Sequence, residues 1–174
     1  MISSCTSDRW FVTGRLGFAC VVFHYVKREV ESVFVHRFSN DTMPWFNIIK
    51  NSSHYWVLSG LFLAYPLYHP QYSNTLSPTL VHAGVAVFLL AELGNGWAHI
   101  VLMNLRPAGT RQRGIPKGGL FNIVSCANYT YELLAWLAFS YFTHMLTGTL
   151  AAFDSCCILH QLKVLSGCPQ HTCF

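Results

Sequence analysis

The sequence predicts an all-α fold, a polytopic helical membrane protein with about four to five transmembrane helices, and three observations carry that prediction. Only 10% of its 174 residues are charged, against about 25% in a soluble domain. Apolar residues make up 52% of the chain and the mean hydropathy is +0.35. The apolar residues also gather into four runs, Trp10–Tyr25, Tyr55–Tyr68, Leu80–Met103 and Tyr131–Leu159.

Taken in order, the first two runs are short and need aromatic or interfacial ends. The third is long enough to cross about 30 Å of hydrocarbon. The fourth fits one long pass or a tight pair. Orientation follows from the cations. Lys27, Arg28, Arg37 and Lys50 follow the first run, and "HPQYSNTLSP" after the second is uncharged. The loop after the third run, "RPAGTRQRGIPKGG", holds Arg106, Arg111, Arg113 and Lys117, with no acid between residues 93 and 131. Basic, neutral, basic is the positive-inside alternation, so 27–50 and 106–119 are expected in the cytosol. The start "MISSCTSDRW" has neither the charged region nor the cleavage motif of a signal peptide.

Several chemistries find no support. No Gly-x-Gly-x-x-Gly fingerprint follows a strand, and neither a P-loop nor a Ser-His-Asp arrangement is present. Of the seven cysteines, Cys20 in an apolar run and Cys126 beside a cytosolic loop read as free thiols. Cys156, Cys157, Cys168 and Cys173 crowd the tail without a second well-spaced pair, so no metal site is expected.

Two polar constellations interrupt the apolar pattern. In "FLLAELGNGWAHIVLMNLRPAG", Glu92, Asn95 and His99 are spaced by three and four, and Arg106 follows two turns later on the same stripe. Such a stripe is satisfied either by other helices or by a ligand, and ionisable groups inside a membrane segment are functional candidates by default. In "SCANYTYELLAW", Asn128, Tyr131 and Glu132 share a helical face, with Tyr129 pointing elsewhere. Both constellations flank the basic loop, so they are expected to meet at one cytosol-facing cavity. The loop's arginines suit phosphate recognition, as they suit topogenic or lipid-headgroup roles.

The segments "HYVKREVESVFVHRFSNDTMPWFNIIKNSSHYW" (24–56), "LGNGWAHIVLMNLRPAG" (93–109) and "IPKGGLFNIVSCANYTYE" (115–132) resemble the very-long-chain trans-2-enoyl-CoA reductases of the steroid 5α-reductase family, enzymes of the endoplasmic reticulum membrane. The resemblance implies NADPH-dependent reduction of a long-chain enoyl-CoA in fatty-acid elongation, possible contacts with other elongation enzymes, and no nucleic-acid partner. It places Asn95, Arg106 and Asn128 on the nucleotide, with Arg111 and Arg113 beside them, and Lys27 and a tyrosine of "NYTYE" in catalysis. The motif leaves Tyr129 and Tyr131 open; the helix face favours Tyr131. A steroid or polyprenol substrate, or a non-catalytic membrane remnant, are the alternatives.

The expected organisation is an atypical N-terminus with the start of the first membrane segment over 1–19, a steroid 5α-reductase-like region over 20–153, and a Cys-rich tail unlike the family over 154–174. The family's basic-aromatic ending is replaced by "DSCCILHQLKVLSGCPQHTCF", which implies a truncated product and negligible turnover by the chain as written.

Overall fold

The computed structural model describes residues 2–35, 45–53, 57, 61–105, 116–124 and 126–145, with backbone alone over 2–11 and at 47, 50 and 51. Arg106, Arg111, Arg113 and the tail 154–174 lie outside the described residues. The elements are α1 (Ile2–Phe34), α2 (Trp45–Ser53), α3 (Tyr65–Tyr68), α4 (Pro78–Asn104) and α5 (Ala127–Thr143), with a 3-10 turn at Gly119–Asn122. No strand occurs among the described residues.

The third apolar run becomes α4 almost residue for residue. Pro78 occupies the first turn, where its missing N–H costs nothing, and Ser77 Oγ accepts from Leu80 N at 3.4 Å. Among the described residues α4 is the one helix long and apolar enough to cross a membrane, so four to five such spans are not reproduced there. The first run lies inside α1, a helix of 33 residues that continues past Tyr25 through the basic segment to Phe34. Over 61–64 the second run takes π-helical turns before α3. The fourth run is not one long pass. α5 begins at Ala127 and stops at Thr143, because His144 turns left-handed at φ 55°.

α4 and α5 form the tightest pair. They run antiparallel, with Phe88 against Phe139 and Gly84 against Phe142. Phe88, Phe139 and Phe142 are fully buried, and the rings of Trp136, Phe139 and Phe142 follow one another at 5.7 and 5.4 Å. Two glycines permit the approach. A Cβ on Gly84 would lie 2.6 Å from Phe142 Cβ, and one on Gly94 would lie 2.5 Å from the Tyr131 ring. Hydroxyls inside α5 bond back to their own helix, Ser140 to the Trp136 carbonyl at 2.9 Å and Thr143 to that of Phe139 at 2.6 Å.

The uncharged connection before α4 serves the end of α5. Tyr72 OH donates to the Thr143 carbonyl and Asn74 Nδ2 to the Phe142 carbonyl, both at 2.6 Å. These bonds satisfy two of the four carbonyls that a helix C-terminus leaves without partners. α3 seats the fully buried Leu67 against Gly17 of α1. Outward, α4 presents Leu90 and Leu93, each about two-thirds exposed, as an apolar face suited to lipid.

The close approach of α4 and α5 generates a prediction. Gly84→Ala is expected to destabilise the protein by ~1–3 kcal/mol through overpacking against Phe142. Gly14→Ala, whose new Cβ would sit 3.8 Å from the Leu67 carbonyl oxygen, should not destabilise. Thermal unfolding of both variants in detergent is the check.

Candidate active site

The polar stripe of α4 faces other protein. Glu92, Asn95 and His99 are all buried, and α1 meets them with His24, Lys27, Arg28 and Glu31, again at helical spacings of three and four. Residue pairs advance together along the two helices, so α1 and α4 run in the same direction. Glu92 receives His24 Nδ1 at 2.7 Å and Lys27 Nζ at 2.9 Å. Glu31 receives Lys27 at 3.2 Å and His99 Nδ1 at 2.8 Å, with Arg28 at 3.7 Å. Arg28 also approaches His99 Nε2 at 3.5 Å.

Lys27 is the centre of this arrangement. Its ammonium has three donors, and Glu31, Glu92 and the Asn95 side-chain oxygen supply three acceptors. Asn95 then uses its amide to reach the Asn128 carbonyl of α5 at 2.8 Å, so one side chain ties α1, α4 and α5 together. The Trp136 ring closes the inner end, 4.9 Å from that of His24. Gly96 leaves room for the crossing, since a Cβ there would meet Glu31 Oε1 at 3.4 Å and Lys27 Cε at 3.5 Å.

The electrostatics follow from the geometry. Glu31 lies past the apolar run 10–25. Burial alone would push its carboxyl up, but the hydrogen bond and charge of His99, then the Lys27 ammonium, outweigh that effect and hold it at about 2.

On α5, Tyr131 lays its ring against Gly94, one position before Asn95. The Tyr131 hydroxyl, the Asn128 amide and Glu132 are half-buried and make no side-chain hydrogen bond among the described residues. Tyr129 does have a partner. The structure therefore brings Lys27, Asn95, Asn128 and Tyr131 together at the junction of three helices. Arg106, Arg111 and Arg113 cannot be placed against them. Lys117 is exposed near the 3-10 turn whose buried Phe121 packs beside Ala98 and Ala127.

Sequence reasoning missed His24, Arg28 and Glu31. The signal was available in their spacing around Lys27, which matches the α4 stripe position for position. The reading of Cys126 as a free thiol is also corrected. Cys126 is buried and disulfide-bonded, its partner's side chain lying outside the described residues, whereas Cys20 is a buried free thiol.

A helical bundle crossed by a polar seam, among the described residues, defines the class to which the comparisons then give a family. The family profile described as 3-oxo-5-alpha-steroid 4-dehydrogenase matches residues 41–165. The chain belongs to that family, whose members are oxidoreductases acting on CH–CH groups. It is 45% identical over 159 residues to a probable very-long-chain enoyl-CoA reductase of Caenorhabditis elegans, covering 86% of this chain and 51% of the relative. Identity to the very-long-chain enoyl-CoA reductase of Dictyostelium discoideum is 44% over 138 residues, 79% of this chain and 45% of the relative. A trans-2,3-enoyl-CoA reductase-like protein of Mus musculus is 34% identical over 151 residues, 80% of this chain and 41% of that protein. The chain spans about half the length of these relatives.

Two predictions follow from the seam. Lys27→Met should cost ~3–5 kcal/mol by leaving two buried carboxylates short of a cation, and adding Glu92→Gln should recover part of the loss. Chemical or thermal unfolding of the single and double variants measures this coupling. The second prediction concerns acid. Glu31 has a carboxyl depressed from 4.5 to about 2, so its stabilisation is complete above 4.5 and is lost as pH falls toward 2. The melting temperature of the wild type should therefore drop across that window, and Glu31→Gln should flatten the drop.

Proposed function

We propose that this chain forms the membrane core of an NADPH-dependent reductase that converts long-chain trans-2-enoyl-CoA to saturated acyl-CoA, in very-long-chain fatty-acid elongation at the endoplasmic reticulum. The observation that carries the reading is the junction at Lys27, where a fixed ammonium and a Tyr131 hydroxyl without a hydrogen-bond partner among the described residues lie on neighbouring helices in a chain 45% identical to a relative named for this reaction. Polytopic insertion with cytosolic basic loops belongs to the same proposal.

The chain's donor set fits a phosphate-bearing nicotinamide nucleotide. Arg106, Arg111, Arg113 and Lys117 fall in one acid-free stretch, and guanidinium groups suit phosphate oxygens. On α5 the half-buried Asn128 amide lacks a hydrogen-bond partner among the described residues and suits a carboxamide. NADPH, when bound, supplies the hydride. Asn95 has both ends of its amide engaged by Lys27 and Asn128, so its contribution to the cofactor is to hold the Asn128 backbone in place.

The protein's own part is proton and charge management. Adding hydride to the β-carbon of an α,β-unsaturated thioester drives negative charge onto the thioester oxygen, and the α-carbon then takes a proton. Tyr131 and Lys27 are the groups we assign to this step, the tyrosine hydroxyl donating to the oxyanion or supplying the proton and the ammonium, held by Glu31, Glu92 and Asn95, stabilising the developing negative charge through its field. The Trp136 ring, packed on that of His24, keeps water from the inner end of the seam and strengthens the field of the ammonium.

The tyrosines separate by experiment. Tyr131→Phe, which removes only a hydroxyl, is expected to lower turnover at least tenfold with NADPH affinity within about twofold of wild type. Tyr129→Phe should do less. The assay follows saturated acyl-CoA formed from a long-chain trans-2-enoyl-CoA in membranes lacking an endogenous reductase, with cofactor binding measured separately, and turnover by the wild-type chain in the same assay tests the expectation from its tail that turnover is negligible. The reverse order of effects would move the role to Tyr129, and reduction of a steroid or polyprenol but not of enoyl-CoA would replace the substrate assignment.

A further inference from the structure

Gly84 and Gly94 both admit α5, but they meet different parts of it. The Cβ that alanine would carry at Gly84 lies 2.6 Å from Phe142 Cβ and 3.3 Å from its Cγ and Cδ1, so the contact is with the root of that side chain. At Gly94 the same atom lies 2.5, 2.6 and 2.9 Å from Cε1, Cδ1 and Cζ of Tyr131. Cζ is the carbon that carries the hydroxyl. Gly84 therefore sets how near the two helices come, whereas Gly94 touches the outer ring of a side chain.

Glycine weakens a helix interior relative to alanine, and Gly94 lies well inside α4. The next residue, Asn95, takes Lys27 Nζ at one end of its amide and the Asn128 carbonyl at the other. Asn128 precedes Tyr131 by three residues, so both belong to the first turns of α5. Adjacent residues of α4 thus fix two things there, the backbone through Asn95 and the Tyr131 ring through Gly94. Because Asn95 also holds Lys27, the hydroxyl and the ammonium are referred to neighbouring points on one helix.

Building on the reductase reading above, we propose that Gly94 is a positioning residue for that reaction, the seat that sets where the Tyr131 hydroxyl meets the thioester. Carbon atoms pack at about 3.5–4.0 Å, so a methyl group at position 94 drives the ring away by roughly 1 Å. The ring is the outer part of a flexible side chain and swings aside without separating the helices. That movement costs little stability but carries the hydroxyl out of line, and a misplacement of about 1 Å can cost on the order of a hundredfold in rate. A methyl group at Gly84 acts the other way round. Phe142 Cβ is tied to the α5 backbone, so the helices themselves must give, roughly 15 Å along α4 from the Tyr131 contact.

The two alanine variants should therefore rank in opposite orders for stability and for rate. In the intact protein with NADPH and a long-chain trans-2-enoyl-CoA, Gly94→Ala should lower turnover at least tenfold, with NADPH affinity within about twofold of wild type. It should also lose less melting temperature than Gly84→Ala, which should keep turnover within about twofold while folded. In a Tyr131→Phe background, which lacks the hydroxyl, Gly94→Ala should lower turnover by no more than about twofold. The assignment is overturned if Gly94→Ala slows turnover no more than Gly84→Ala does, or by the same factor with Tyr131→Phe as without it. A second measurement needs no turnover and removes the clash, so it holds even if Gly94→Ala does not fold. Phenol is the fragment that Tyr131→Ala deletes. The Tyr131→Ala protein should bind phenol, and the Gly94→Ala/Tyr131→Ala protein should bind it at least tenfold more weakly. Equal binding by the two, or none by Tyr131→Ala, overturns the seat. Absence of reduction by the wild type would fall on the reductase reading, whereas equal phenol binding falls on the seat alone.

Discussion

An ammonium group held between two carboxylates in apolar surroundings is the constraint on which the rest of this structure depends. Lys27 cannot be satisfied by α1 alone. Glu31 on its own helix supplies one acceptor, and Glu92 and Asn95 on α4 supply the others. Burying these charges separately would be very costly, so the helices must meet in a single register that pairs every donor with an acceptor. A slip of one residue on either helix would rotate the stripes apart by about 100°. Greasy surfaces alone tolerate such slips; this seam does not.

The same constraint explains how the site is assembled. Through Asn95 the order imposed on α1 and α4 is passed to the first turn of α5, where Asn128 and Tyr131 sit. Gly94 allows the Tyr131 ring to lie directly on α4 beside that link. The phenylalanine cluster toward the other end of α4 and α5 supplies rigidity, and the polar seam supplies placement. Stability and the proposed chemistry therefore draw on overlapping residues, which is common where a site is built from buried charge.

Much of this was legible in the sequence, and the gaps have physical causes. The bounds of α4 follow from an unbroken apolar run opened by Ser77-Pro78, and its stripe follows from period 3.6. The link between Asn95 and the "NYTYE" segment matches the convergence expected from two polar faces beside one loop. Arg28 escaped because charge near the end of an apolar run was read as topological signal, whereas His24 and Glu31 show only in their spacing around Lys27. Loop cations and buried ion pairs have the same composition, and only spacing distinguishes them. The break at His144 was hidden because apolar residues continue past it, while the bonds that end the helix come from Tyr72 and Asn74, about seventy positions away. Cys126 shows the same limit, since a disulfide depends on where another cysteine is brought in space.

The common direction of α1 and α4 has a topological corollary. Phe34 ends at the level of His99, near the close of α4, yet α4 opens at its far end with Pro78. The intervening chain must travel back along the bundle, and it does so in the structure, reaching Gly14 and Gly17 of α1 by Leu67. A layer that α1 and α4 both cross is therefore crossed an odd number of times by residues 35–77. With α5 antiparallel to α4, the basic stretch between them begins and ends on one side, the side where α1 also ends. Parity alone thus gathers Lys27, the end of α4 and the start of α5 at a single face, without reference to which compartment that face adjoins.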